Sequence, residues 1–506
     1  MDITTDPSTS ITSALPIEVL GHVADILADD LGKKNARALQ SLAITCKSFL
    51  PFCRARMFRR IDRISFFGDG IRNSGGGRLL RLVKVLEDNP ELLMYVQELR
   101  ICYDTRERGQ KGMAVVEDYQ RCQAMLLRFS SLEQLTCLHD SDVYGSGLAL
   151  MSSLRHELAE HYLAQHTLKY FCGQDMSSLN FNTLFNGPRV EVVHLVRSSI
   201  PVLHQLPAAN ITELHIRKVQ QFPLSILSAA PKLMVLSLDQ VPNVSGDRSD
   251  LFSRPPSMTL RALHLDLTAQ DGLSTILDYY KYHARKVEMN PFNQLKRLVL
   301  YLKRGTDARN VQPLFEDAKE LLSLQVIVQG MSERLLFIKI LTNSTILDAI
   351  VQLHSLKLNK HIFTPSHKLT RLALIFTPIR SQTAYTSILS HLRALFTSIA
   401  ESNILEQLRI SIDSRRLPIL GDHRQAAFLT SPWEQIDTVL SSRVYFAHLR
   451  RVSISLRLEV TQQEWEALYK GFGGMGLHAL QPLSGVMTGL HERLGPDLKE
   501  TFLLHY

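Results

Sequence analysis

The sequence predicts an α/β protein, in which a small unit of three helices precedes a long array of parallel strands alternating with helices. Three observations predict this fold class. Residues 14–61 show helical apolar periodicity in three segments. From Val96 onward, a short motif of the form L-x-x-L-x-L recurs along the chain. Helix-like runs, such as residues 223–231 and 387–402, lie between these motifs.

The composition is that of a well-packed protein. Its 506 residues are 45% hydrophobic and 21% charged, with a formal net charge of +8. Such a length exceeds one ordinary domain unless the chain is a repeat array. The six cysteines show no paired framework, which favours reduced thiols. The polar residues 1–13 resemble a flexible leader more than a signal peptide, and no stretch approaches the roughly 18 uncharged apolar residues of a membrane span. We therefore expect a cytoplasmic or nuclear protein that binds no membrane.

Residues 14–61 form the predicted three-helix domain. Pro16 suits the first position of a helix, which should run to about Leu31. The second helix is predicted over residues 36–49, where apolar side chains share one face. Pro51 ends it and opens a third, basic helix through about Arg60.

The third helix begins an arginine-rich stretch over residues 54–63. Clustered arginines neutralise phosphates, so nucleic-acid binding is one interpretation. However, Met57, Phe58 and Ile61 are interleaved at spacings that suit packing. The pattern favours a charged outer face on a packed helix, and we expect no nucleic-acid partner.

The first helix has more apolar surface than its small domain can cover. At 100° per residue, its apolar residues from Ile17 to Leu31 span about 180° of the helix wheel. A surface helix needs an apolar arc of only about 100°. The surplus must therefore dock on the repeats or on another protein, and the wheel leaves both open.

The recurring motif predicts a solenoid over residues 62–506. It starts at Val96, Leu132, Val190, Ile211, Leu233, Leu260, Leu295, Leu353, Leu369, Leu405 and Leu449. Steps of 21 (190 to 211), 22 (211 to 233) and 27 (233 to 260) match the period of leucine-rich repeats. The step of 16 from 353 to 369 is too short for a full repeat. An ordinary α/β domain with a parallel sheet remains the alternative.

In such repeats the leucines point inward, and the residues between them line the concave face. Six residues on consecutive predicted strands are the candidate substrate contacts. They are His215, Arg217, Asp239, His264, Asp266 and Tyr301. Their mixed charge suits binding of an unknown protein substrate, while plain solvated surface is the alternative for each residue.

No motif in the sequence supports catalysis, a cofactor or a metal. "GFGGMG" at 471–476 matches a dinucleotide-binding loop, but the run before it has a helical pattern. His156 and His161 are five residues apart, so they would lie about 140° apart around a helix and could not share a metal. The cysteines include no C-x-x-C pair. We expect a non-catalytic protein, with an enzyme carrying an unrecognised site as the distant alternative.

Two segments resemble an F-box: "LPIEVLGHVADIL" from Leu15 and "LQSLAITCKSFLPFCRARMFRRI" from Leu39. The resemblance implies that the chain docks on the Skp-type adaptor of a cullin–RING ubiquitin ligase and presents a substrate. It also implies which residues contact the adaptor. They are Leu15, Pro16, Ile17 and Leu20 from the first helix, and Ile44, Cys46 and Phe49 from the second.

The sequence departs from the F-box pattern at three places. Phe49 stands where tryptophan is frequent, Met57 and Phe58 stand where Leu-Trp is common, and the link over residues 28–37 is longer than usual. Each substitution keeps an apolar group. The alternative is a leucine-rich scaffold whose N-terminal helices only cap the solenoid, because repeat arrays need capping units for solubility.

Overall fold

The chain divides into two compact units. The structure is a computed structural model that describes residues 17–29, 33–45, 47–65, 78–103, 113–139, 148–176, 179–201, 209–246, 255–267, 271–302, 311, 314, 317–329, 368–379, 382–399, 404–415, 433–459 and 487–505. Unit 1 comprises Met1–Pro201 and Gln205–Ile211, and unit 2 comprises Val202–His204 and Thr212–Tyr506. The three predicted helices belong to the same unit as the first repeats.

Helices and strands alternate along both units. The helices are α1 (Ile17–Asp29), α2 (Lys33–Thr45), α3 (Leu50–Phe58), α4 (Arg78–Asp88), α5 (Met113–Leu126), α6 (Leu148–Leu163), α7 (Phe181–Asn186), α8 (Ser225–Ala229), α9 (Gly272–Val287), α10 (Gln382–Ile399), α11 (433–441) and α12 (Thr488–Leu494). Three short 3₁₀ helices cover Lys47–Phe49, Pro90–Tyr95 and Gly495–Asp497.

The strands are β1 (Arg60–Ser65), β2 (Glu98–Tyr103), β3 (Gln134–His139), β4 (Tyr170–Gln174), β5 (Val192–Val196), β6 (Glu213–Arg217), β7 (Gln221–Pro223), β8 (Val235–Val241), β9 (Asn243–Ser245), β10 (Ala262–Leu267), β11 (Arg297–Leu302), β12 (Ser323–Gln329), β13 (Arg371–Ile379), β14 (Gln407–Arg415), β15 (Arg451–Glu459) and β16 (Leu498–His505).

The first three helices pack around a small core. Its buried residues are Leu20, Ala24, Leu39, Phe49 and Cys53. Each helix contributes at least one of them, so the periodicity predicted from the sequence identified real packing faces. The third helix ends at Phe58, and the residues that follow form β1 rather than a further helical turn.

In unit 1, parallel strands β1 to β5 stand side by side in chain order. The motif positions line up between strands. Leu99 is in register with Leu135, Leu135 with Phe171, and Phe171 with Val193. All four side chains are buried.

In unit 2, β6, β8 and β10 to β16 also pair in parallel and in chain order. Strands β7 and β9 form a separate two-stranded sheet. A doubly wound α/β sheet reverses its strand order at a switch point, and neither unit does so. Each unit is therefore built like a leucine-rich-repeat solenoid, in which every repeat packs on its neighbours.

The motif explains why these segments become strands. In β6, Leu214 and Ile216 are buried, whereas Glu213 and His215 are partly exposed, because successive side chains of a strand point to opposite faces. Burial of each such leucine or isoleucine contributes about 1.5–3 kcal/mol relative to exposure. The first apolar residue of the motif, Ile211, is buried just before the strand.

The backbone repeats a left-handed conformation at one position of the motif. Asp175, Arg197, Lys218 and Gln240 have φ of 57°, 51°, 54° and 55°. They follow one another at steps of 22 (175 to 197), 21 (197 to 218) and 22 (218 to 240). A residue other than glycine seldom adopts a positive φ unless its surroundings require it. The recurrence therefore marks a true structural repeat.

Ten of the eleven predicted motifs lead into a strand that begins at their third residue. The eleventh, from Leu353, lies outside the described residues. Four further strands of the parallel arrays were not predicted: β4 and β12, whose motifs start at Leu168 and Leu321, and also β1 and β16. The first two motifs replace a leucine by phenylalanine or valine, and this concealed them.

Candidate functional site

The predicted adaptor-binding residues fall into three groups in the structure. Leu15, Pro16 and Cys46 lie outside the described residues, as does the side chain of Ile17. Leu20 and Phe49 are only 4% and 6% exposed, because they fill the core of the three helices. Ile44 is the opposite case, since its side chain is 85% exposed at the end of α2.

The structure also shows where the surplus apolar surface of α1 lies. Leu20 and Ala24 face the core, whereas Val19 and Ile26 are 40% and 59% exposed. The exposed pair is seven residues apart and therefore lies on one side of the helix. Together with Ile44, these residues are the exposed apolar side chains of the described part of α1 and α2, and we call them the helical apolar patch.

The arginines after α2 are engaged within the chain. Arg54 lies 3.3 Å from Glu91, and Arg56 forms an ion pair with Asp25. Further along, the guanidinium of Arg60 is 3.2 Å from a carboxylate oxygen of Asp62. These contacts agree with the predicted charged outer face, because the arginines meet carboxylates of their own unit.

In unit 2, neighbouring strands bring the six candidate substrate contacts together. His215 on β6 is in register with Ser237 on β8, which is in register with His264 on β10. Arg217 is in register with Asp239 one step further along the strands. The structure thus places these side chains on one face of the parallel sheet.

The contacts within this cluster are polar and aromatic. Arg217 Nε lies 2.9 Å from Asp239 Oδ2. The rings of His264 and Tyr301 stack with centroids 5.5 Å apart and an interplanar angle of 5°. Asp266 is only 1% exposed, so a bound partner would contact Asp239 before it reached Asp266.

Burial controls the ionisation of the cluster. Desolvation raises the pKa of the Asp239 carboxyl, although the nearby Arg217 charge opposes this shift. Desolvation lowers the pKa of the His264 imidazole, and the Asp239 and Asp266 charges counteract it. Burial also raises the pKa of the Tyr301 hydroxyl. A neutral imidazole and a neutral phenol are therefore favoured at this position of the face.

A second set of charged residues on the same face was missed by sequence reasoning. Five exposed cations stand within the first three residues of β11 and β13 to β16, and we call them the basic stripe. Its members are Arg297, Arg371, Arg409, Arg451 and Lys499. Three of them occupy the same motif position, just before the second apolar residue. That recurrence was the available signal in the sequence.

Little in the described residues suggests a metal or a membrane span. They contain no group of three or more metal-ligating side chains in a suitable arrangement. No helix within the described ranges combines the length and apolar character needed to cross a membrane. His156 is buried in α6, and His161 contacts Gln165 at 2.7 Å. The glycine-rich segment 471–476 lies outside the described residues.

Comparison with known proteins leaves the family open. No family model matches the chain, and no curated protein matches it. Among solved structures, the chain is similar to the plant peptide hormone receptor RGFR1 in complex with RGF2, with 11% identity and a TM-score of 0.24. The match covers 83% of this chain and 61% of the receptor chain. These values establish neither fold nor function, and the fold assignment rests on the strand order and buried side chains described above.

Proposed function

We propose that the chain is a non-catalytic substrate receptor of a Skp–cullin–F-box ubiquitin ligase. The helical apolar patch would dock on the Skp-type adaptor, and the exposed face of the parallel strands would capture a protein substrate. One observation carries the proposal. A small helical unit that already has its own core still exposes Val19, Ile26 and Ile44 within the segments that resemble an F-box. Exposed apolar surface of this kind marks interaction sites.

The proposed mechanism is tethering rather than covalent catalysis. A receptor that holds the substrate near the ubiquitin-conjugating enzyme raises the effective concentration of the target lysine. The chain itself then needs no catalytic residue, cofactor or metal. Four described cysteines, Cys53, Cys122, Cys137 and Cys172, are buried thiols that form no disulfide, which fits a protein of the reducing cytoplasm or nucleus.

A second candidate function has its own supporting observation. Helix α3 packs against the Pro90–Tyr95 helix and against β1, and Arg54 pairs with Glu91 across that contact. The three helices therefore cover the start of the strand array of unit 1. This is what a capping unit does, so the alternative is a repeat-based scaffold that binds no adaptor.

Binding of the full chain to a purified Skp-type adaptor tests the proposal. We expect the wild-type chain to be retained, and Ile44→Asp to lose at least about tenfold in affinity, because a charge enters an apolar interface. The thermal midpoint should be unchanged, since Ile44 is 85% exposed.

The matched control is Val444→Asp, which places the same charge on an apolar residue of unit 2 that is 84% exposed. It should bind the adaptor like wild type. Failure of the wild-type chain to bind the adaptor would favour the capped scaffold. If all three proteins bound the adaptor equally, the adaptor would contact a surface other than the helical apolar patch.

A further inference from the structure

The basic stripe has a regular geometry. Arg297, Arg371 and Arg451 lie in one register row on every second strand, with Ser323 and Gln407 on the strands between them. Neighbouring strands are about 4.8 Å apart, so these cations recur about every 10 Å across the sheet. The row therefore runs perpendicular to the strands.

A second row lies two residues further along the strands. It contains Arg409 and Lys499, which are both in register with Ser453 on the strand between them. On the other side, Arg409 is in register with Ala373. The cations of the two rows alternate across β13 to β16, and the stripe is therefore two rows wide.

No carboxylate of the described residues forms an ion pair with the basic stripe. Two acidic residues near it stand beside other basic residues: Asp413 is in register with Arg457, and Glu406 lies beside Arg450. The five cations are all exposed. The stripe thus presents positive charge that the described residues leave uncompensated, and an anionic partner would complement it.

The surface between the cations favours a peptide over a nucleic acid. Small residues such as Ala373, Ser411, Ser453 and Ser455 form much of it. Among the described positions of this face from β11 to β16, the one phenylalanine, tyrosine or tryptophan is Tyr301, four residues from Arg297 at the edge of the stripe. Single-stranded nucleic acids bind by stacking bases on aromatic rings as well as by charge. A peptide backbone, in contrast, can approach small residues closely and hydrogen-bond to their hydroxyls.

We propose that the basic stripe binds an extended acidic segment of a protein partner, with an aspartate or glutamate at about every third residue. A peptide in the polyproline II conformation has three residues per turn and advances about 3.1 Å per residue, so every third side chain faces the sheet at a spacing close to that of the cations. This assignment names the substrate chemistry of the strand face and rests on the proposed function. The aromatic and histidine cluster around His264 and Tyr301 adjoins the stripe at Arg297, and the peptide is proposed to contact the cations rather than this cluster.

A labelled peptide of about ten residues with glutamate at every third position, separated by serine and alanine, is the probe. Its binding to the full chain is measured by fluorescence anisotropy. The test variant is Arg371→Glu, Arg409→Glu, Arg451→Glu. The control variant is Arg285→Glu, Lys319→Glu, Arg443→Glu, which makes the same change in net charge at exposed cations off this face.

We expect the test variant to bind the spaced peptide at least about tenfold more weakly, and the control variant to match wild type, because only the first removes complementary charge at the site. Circular dichroism and thermal midpoints establish that both variants fold. Equal affinity of all three proteins would overturn the proposal. It would also be overturned if a labelled single-stranded RNA of similar length bound as tightly as the peptide and lost binding in the test variant.

The result does not depend on the adaptor. A chain that binds the spaced peptide but not the adaptor would retain the stripe assignment and lose the ligase function. If the chain binds the adaptor but not the peptide, the ligase function is retained and the stripe assignment is lost.

Discussion

At the scale of single residues, the structure depends on positions whose conformation the sequence does not reveal. Leucine spacing predicted the buried side chains of the strands. The left-handed residues Lys218 and Gln240 escaped notice, because neither is the glycine or asparagine that usually marks such a position. Their conformation is imposed by the repeat: the Lys218 amide donates to the Asp239 carbonyl oxygen at 2.8 Å.

Replacing Lys218 with glycine should therefore stabilise the protein. A left-handed non-glycine residue costs about 1–2 kcal/mol, and glycine removes that cost while adding some unfolded-state entropy. We expect Lys218→Gly to raise the free energy of unfolding by about 0.5–1 kcal/mol, measured by urea denaturation. Gln220→Gly, at an exposed residue two positions away, should lower it instead. A loss of stability in Lys218→Gly would show that the conformation carries no strain.

The predicted adaptor-binding residues show a second structural feature that the sequence alone could not predict. The helix wheel predicted an apolar arc on α1 wider than the small domain needs, and the structure exposes Val19 and Ile26. Periodicity could not tell which apolar residues face the core, because that choice depends on where α2 and α3 lie. Leu20 and Phe49, expected at the adaptor, instead fill the core in this structure.

At the scale of elements, helix α12 is held in place by two charged residues, Asp437 on α11 and Arg493 on α12 itself. The Asp437 carboxylate on α11 accepts hydrogen bonds from the amides of Gly489 and Leu490 at 2.9 and 2.8 Å. Arg493 on α12 donates in return to carbonyl oxygens in the last turn of α11 and just after it, including that of Leu440 at 2.9 Å. Hydrogen-bond partners about fifty residues apart leave no local sequence pattern, so these reciprocal hydrogen bonds could not be predicted from the sequence.

Removing the hydrogen bonds of Arg493 should lower the local stability of the end of unit 2. Arg493→Met keeps the length of the side chain but leaves the carbonyl oxygens of Leu440 and Leu449 without their charged donor. We expect the opening free energy of α12 and β16 to fall by about 2–3 kcal/mol, measured by hydrogen–deuterium exchange. Arg450→Met, at an exposed arginine, is the control and should exchange like wild type. Unchanged exchange in Arg493→Met would mean that packing alone holds the helix.

At the scale of the whole molecule, strand order and function were predictable to different degrees. The recurring motif predicted ten strands and their parallel arrangement, because each repeat needs the same buried positions. The basic stripe was not predicted, since its members stand on strands between which the chain runs for tens of residues. The F-box resemblance provided the proposed function, which neither the strand order nor the comparisons address.

One measurement tests the central claim that a single chain joins a Skp-type adaptor to an acidic substrate segment. The adaptor is immobilised, the full chain is added, and retention of the labelled acidic peptide is recorded. We predict retention with wild type. With Ile44→Asp, both chain and peptide should be lost, and with the stripe variant the chain should stay and the peptide be lost. Failure of the adaptor to retain the wild-type chain would contradict the account.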